Sequence, residues 1–136
     1  MTHNAKIWAA QTAERNPPSA ALDWTESGTL DIEISGEWER ILKASGNTTV
    51  SEGLLSQAAM LGSHGKRIDA RATNFALGFV DAMEPNDAAE ALLLTQMAAT
   101  HQATMMLARR LNHVENIAQQ DVAEKALNKL ARRWTR

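Results

Sequence analysis

The four histidines are the side chains best suited to acid–base chemistry or metal binding, because the chain contains no cysteine. They are His3, His64, His101 and His113, and no two of them are three or four residues apart. That spacing would place two ligands on one helix face. We therefore predict no metal site and no cofactor. His101, in an Ala/Met-rich segment, is predicted to be a packed histidine bonded to a backbone or amide group, not a ligand.

The glycine-rich segment of residues 62–67, GSHGKR, is partly similar to the end of a phosphate-binding loop. The motif requires a glycine where Met60 stands and a serine or threonine where Arg67 stands, and it must follow a strand. We interpret the segment as a turn between helices. Because no local arrangement singles out a pair of carboxylates either, we predict no catalytic residues and a protein that is not an enzyme.

The second half of the chain has the composition of long helices. All seven glycines lie at or before Gly78, and Pro85 is the last proline. The residues that follow are mostly strong helix formers, and Asp87 and Glu90 have capping-box spacing. We predict helices at 87–112 and 117–135, joined by a short turn into an αα-hairpin.

The first half is less regular. Apolar spacing predicts helices at 51–61 and 67–83, the first opened by a capping box with Thr49 as the cap and the second with Ile68, Ala72, Phe75 and Phe79 as its apolar face. A short helix ending at Gly46 is also expected. The alternating residues 30–34 read as an extended arm, since one strand makes no sheet alone. The fold class is all-α, with an irregular arm at 1–50 and a helical domain at 51–136.

Apolar and threonine side chains recur along residues 92–111 at alternating spacings of three and four, the period of a seam between packed helices. A membrane span needs about twenty predominantly apolar residues, whereas Gln96, His101 and Gln102 stand in mid-segment. We therefore expect no membrane association and predict a homo-oligomer. The predicted interface consists of Leu93, Met97, His101, Thr104, Leu107, Leu127, Leu130 and Trp134.

Charge is unevenly distributed along the chain. Residues 1–108 carry 7 basic and 13 acidic side chains, and residues 109–136 carry 7 basic and 3 acidic ones. Four basic residues recur on one side of the last helix, namely Lys125, Lys129, Arg132 and Arg136. This stripe is either a solvated face or a contact for nucleic acid or an acidic protein.

Residues 87–134 carry three short patterns: ALLLTQMAATH at 91–101, Met105 with Arg109-Arg110, and ALNKLAR at 126–132. In these patterns the segment resembles an uncharacterised family of small helical proteobacterial and phage-associated proteins. The resemblance implies a helical shape and a phage-like context, and it implies no residue role.

Two function classes remain open at this point. The first is a non-enzymatic helical interaction or structural protein that self-associates, possibly a component of a phage or phage-like element. The second is a nucleic-acid-binding oligomer, similar to small terminase packaging subunits, that uses the basic helix. The N-terminal residues lack the pattern of a secretion signal. We therefore expect a cytoplasmic protein, or a virion-associated one if it derives from a phage.

Overall fold

The structure, a computed structural model, describes residues 15–113 and 117–134. Its contacts divide the chain into two compact units, Met1–Thr95 and Gln96–Arg136, whereas the sequence suggested a division after residue 50. The described residues form five helices and two small two-stranded sheets. The fold is therefore predominantly helical, and the prediction of an all-α class is correct only in that coarser sense. Side chains outside the description are those of His64, Ile117 and Trp134.

The larger sheet is an antiparallel hairpin of β1, Ser19–Trp24, and β2, Leu30–Ser35. Its tight turn places Gly28 at a φ of 80°, a left-handed conformation that favours glycine. The apolar side chains share one face, where the cross-strand pairs are Ala20 with Ile34, Leu22 with Ile32, and Trp24 with Leu30. The prediction of an isolated extended arm was wrong, because SAALDW also alternates at period two and supplies the missing partner strand.

Two helices follow the hairpin. Helix α1, Glu39–Ser45, ends at Gly46, which has a φ of 76°, as the sequence predicted. Helix α2, Thr48–Leu61, begins earlier than the predicted residue 51. The cap is Asn47, not Thr49, because the extended backbone of Asn47 lets its side chain accept a 3.0 Å hydrogen bond from the amide of Val50.

The glycine-rich segment connects α2 to the next helix, as predicted. It forms a minimal hairpin of β3, Ser63–His64, and β4, Arg67–Ile68, with Gly65 at a φ of 59° between them. Helix α3, Ala70–Ala82, then begins at the capping carboxylate of Asp69, three residues later than predicted. A phosphate-binding loop would instead join a strand to a helix.

Helix α3 buries a different face from the predicted one. Phe75, on the predicted face, is 43% exposed, whereas Thr73 is fully buried. Small side chains let α3 approach its neighbours closely, and this outweighs the larger area of the phenylalanines. The buried side chains of α3 are Thr73, Ala76, Leu77, Val80 and Asp81.

The last two helices are α4, Ala88–Leu111, and α5, Ile117–Trp134. Their bounds lie within one residue of those predicted. The predicted capping box at the start of α4 is present: the Asp87 carboxylate accepts a 2.9 Å bond from the amide of Glu90. Val114 of the predicted seam, and most of the predicted turn at 112–116, lie outside the described residues.

Asn74 of α3 fastens the hairpin to the helices. Its side-chain carbonyl accepts a 2.7 Å bond from the amide of Ala20, and its amide donates to the Ala20 carbonyl at 3.2 Å. Asn74 therefore pairs with β1 as a neighbouring strand would, and it satisfies backbone groups that the sheet leaves open. The hairpin is held in place by both this clamp and its apolar face.

Gly62, at the end of α2, provides the first prediction. A Cβ atom there would lie 2.6 Å from the Thr73 hydroxyl, 2.7 Å from the Asp69 carbonyl and 2.9 Å from a Leu22 methyl. Since two of these neighbours are fixed by the backbone or by burial, we expect Gly62→Ala to lower the free energy of unfolding by about 2 kcal/mol. Urea unfolding followed by circular dichroism measures this change.

Gly53 is the matched control, because it lies in the middle of α2 and an added Cβ meets nothing within 4 Å. Gly53→Ala should raise stability by roughly 0.5–1 kcal/mol through helix propensity. Equal effects of the two substitutions would contradict the close approach at Gly62.

Candidate interaction surface

One face of helix α4 is buried. Ala91 and Ala98 are 0% and 2% exposed, and Leu94 and Thr95 are 9% and 5% exposed. Within unit 1, Ala91 joins a core cluster with Ala44 and Leu54. The four residues have the i, i+3, i+4, i+7 spacing of a single helix face. This face accounts for part of the apolar content of α4 and leaves the rest on other sides.

The seam predicted from the sequence lies on a different face. Successive residues of an α-helix are turned by about 100° around the axis, which places Leu93, Met97 and Leu107 roughly opposite the buried stripe. Leu93 is 57% exposed, and the others are half-buried. We call this the second face of α4, defined by Leu93, Met97, Thr100, Thr104, Leu107 and Leu111.

The threonines of α4 are less polar than their composition suggests. The Thr95, Thr100 and Thr104 hydroxyls donate to the carbonyl four residues earlier, at 2.8, 2.9 and 2.8 Å. A hydroxyl bonded in this way already has its partner inside the helix, so covering it by another chain removes no bond to water that must be replaced. The methyl groups add to the apolar surface. The second face can therefore be covered at little polar cost.

His101 does not lie in a packed environment within the chain. Its side chain is exposed, so the prediction of a packed histidine is wrong. It stands four residues after Met97 and three before Thr104, at the border of the second face. The geometry gives it no catalytic partner of the kind that an acid–base histidine needs. We retain it as a residue at the border of the interface.

The predicted interface residues of α5 are partly covered. Leu127 and Leu130 are half-buried, and Ala123 is 8% exposed. The side chain of Trp134, the eighth predicted interface residue, lies outside the described part. Unit 2 also contains an open, mostly apolar groove of about 700 Å³. It is lined by residues of both helices and the turn between them, including Leu107, Arg110, His113, Val122, Ala123 and Ala126.

The predicted basic residues cluster on one side of α5. Lys125, Lys129 and Arg132 are exposed and line an open cleft of about 610 Å³. Asn128 and Arg133 complete the lining. Arg136 lies outside the described residues. The sequence reasoning missed Arg133, although its spacing of four from Lys129 places it on the same side.

The sequence also gave no sign of an ion-pair network in unit 1. Arg15 contacts the buried carboxylate of Asp81 with both ends of its guanidinium group, at 2.6 and 3.1 Å. Arg40 donates to the Asp81 carbonyl at 3.3 Å. The hydrogen bond from Asp81 raises the pKa of Arg15 above its ordinary value. Further carboxylates contact the two arginines, namely Glu37, Glu39 and Glu84.

This network is structural. Both oxygens of Asp81 are engaged, and no buried side-chain nitrogen or oxygen among the described residues lacks a partner. The network ties the chain near Arg15 to α1 and α3 and offers no free group for acid–base work.

Two searches of the described residues complete the picture. No group of three or more His, Asp or Glu side chains within 15–113 and 117–134 is placed to hold a metal ion. In the same ranges, no helix combines the length and apolarity needed to cross a membrane.

The chain was compared with protein-family models, with curated proteins and with solved structures, and none of the three comparisons found a match.

The Arg15–Asp81 pair provides the second prediction. Arg15→Ala leaves the buried Asp81 carboxylate with only the more distant guanidinium of Arg40, 3.8 Å away. Because an incompletely compensated buried charge is costly, we expect stability to fall by about 2 kcal/mol. Thermal and denaturant unfolding at neutral pH measure the loss.

Arg71→Ala is the control for this substitution. The Arg71 side chain is 94% exposed and approaches Asp69 only to 3.9 Å. A solvent-exposed pair of this kind contributes less than about 0.5 kcal/mol. If both alanine variants unfold at the same denaturant concentration, Arg15 has no structural role.

Proposed function

We propose that this protein is a non-enzymatic helical interaction protein that self-associates through the second face of α4 together with α5. The observation that carries the proposal is the position of Leu93, a large apolar side chain 57% exposed on the side of the helix roughly opposite Ala91 and Leu94. A helix with apolar residues on two sides needs two coverings. The core of unit 1 supplies the first, and a second copy supplies the other.

Several contacts support this use of the second face. The hydroxyls of Thr100 and Thr104 are satisfied within the helix, so the face is effectively apolar over residues 93–111. Further apolar side chains of α4 are exposed beside it, with Leu92 at 40% and Met106 at 42%. Flexible methionines adapt to a partner surface, which suits a contact between copies.

The context that we propose, a phage or phage-like element, is supported by the sequence resemblance over residues 87–134. The described part of the chain offers no arrangement of nucleophile, base and oriented donor that would favour an enzyme instead.

The test uses Leu93→Asp. Since Leu93 is already exposed, the substitution leaves the fold of one copy intact while placing a charge in the proposed contact. Burying the remaining surface of a leucine contributes about 1 kcal/mol per copy. Adding the cost of a buried carboxylate, we expect the dissociation constant for self-association to rise at least tenfold. Sedimentation equilibrium over a range of concentrations measures it.

Met60→Asp is the matched control, because Met60 is 67% exposed on α2, outside the proposed surface. It makes the same kind of change and should leave self-association as in the wild type. A wild-type mass of 14.9 kDa at every concentration up to about 100 μM, the affinity range of a weak specific complex, would rule out the proposal. Equal weakening by both variants would place the contact elsewhere.

A further inference from the structure

The basic side of α5 is an uncovered helix face. Lys125, Lys129 and Arg133 are exposed and line one cleft. None of the three forms an ion pair with a residue in the described part of the chain. Neighbouring cations repel one another along a helix at this spacing. The face is therefore best satisfied by an anionic surface that the helix itself does not supply.

The hairpin of β1 and β2 has the opposite charge. Residues 16–39 contain six acidic side chains and no basic one. Asp23 stands directly across from Asp31 in the register, and Glu33 follows on the same face. All three are exposed, and none has a cationic partner among the described residues.

The acidic arrangement is unfavourable for an isolated hairpin. Like charges directly opposite each other on two strands destabilise the pair. The pairing of β1 with β2 does not require them, because its apolar contacts lie on the other face. A cationic surface laid against the acidic face would remove this repulsion.

The two surfaces also match in spacing. Lys125 and Lys129 are four residues apart, about 6 Å along a helix axis. Asp31 and Glu33 are two residues apart, about 7 Å along a strand. A helix lying along β2 can therefore bring both lysines within reach of both carboxylates, given the length of their side chains.

We propose that the basic side of α5 in one copy docks on the acidic face of the β1–β2 hairpin in a second copy. This inference rests on the proposed self-association and names its second contact. It favours a second copy over nucleic acid because this chain carries a net charge of −2 and holds the complementary acidic surface itself. Phosphates approaching α5 would meet the same acidic hairpins.

A contact between two different surfaces joins copies head to tail. Such an interface closes into a ring or continues as a filament, depending on the rotation between copies. It is also more sensitive to salt than the apolar contact, because added ions screen exposed charges.

The experiment exchanges the charges. One variant carries Asp31→Lys and Glu33→Lys, and the other carries Lys125→Glu and Lys129→Glu. Each variant alone sets like charges against each other, so its dissociation constant should rise at least tenfold. In a 1:1 mixture, the basic hairpin of the first variant faces the acidic helix of the second, and the unchanged surfaces also match. Mixing should therefore restore association, measured by sedimentation.

A third variant, Lys43→Glu with Lys66→Glu, makes the same change in net charge as the helix variant at two exposed positions outside the proposed contact. It should associate like the wild type, and circular dichroism confirms that all variants are folded. Wild-type association that is indifferent to both reversals would overturn this inference and leave the self-association through α4 in place. A wild type that stays monomeric overturns both.

Nucleic acid is the competing occupant, and short duplex DNA at low salt is its probe. If the helix reversal abolishes a mobility shift of this DNA while self-association is unchanged, the basic face is a nucleic-acid surface and the inference is wrong. The inference expects no shift with the wild type and a rise of at least tenfold in the self-association constant on adding 0.5 M salt.

Discussion

The close approach of α2 and α3 at Gly62 is the constraint on which unit 1 depends. Thr73, at the start of α3, donates a 2.8 Å hydrogen bond to the Ala58 carbonyl near the end of α2. Leu22 of the hairpin reaches the same point, where it would contact any side chain at position 62. Two helices and a strand thus meet where one residue has no side chain. This meeting point, with the Asn74 clamp on Ala20, holds the hairpin and its acidic face in a fixed position.

Helix α4 has a different role because it carries more apolar surface than one core can use. Its stripe of alanines and Leu94 is suited to close packing, while the larger Leu93 and Met97 lie away from it. The threonine hydroxyls bond inside the helix and so do not oppose burial. The result is a surface suited to protein contact, which explains why polar residue types occur in the longest apolar stretch of the chain. In the account proposed above, this surface and the complementary charges of α5 and the hairpin act in the same assembly.

Local signals in the sequence were sufficient for most helix positions. Gly46, Asp87 and the absence of breakers after Pro85 fix helix ends through short-range geometry, and the structure follows them closely. The second face of α4 was also predictable, because spacing alone determines which residues share a side of a helix.

Features that depend on distant contacts were not predictable. The strand Ser19–Trp24 contains two adjacent alanines and reads weakly until β2 is known to pair with it. The Arg15–Asp81 pair joins residues that are 66 apart in the chain. The exposure of His101 and the burial of Thr73 in place of Phe75 depend on how the helices approach each other, which no periodicity within one helix specifies.

The most direct test of the central account is the solvent exposure of Met97 on the second face, measured at different protein concentrations. Mild peroxide oxidises methionines according to their accessibility, and Met60, which is 67% exposed on α2, serves as the internal standard. Mass spectrometry of proteolytic peptides gives the ratio of the two oxidation rates. If a second copy covers this face, oxidation of Met97 relative to Met60 falls several-fold as concentration rises through the association range. A ratio that does not change with concentration would contradict the account.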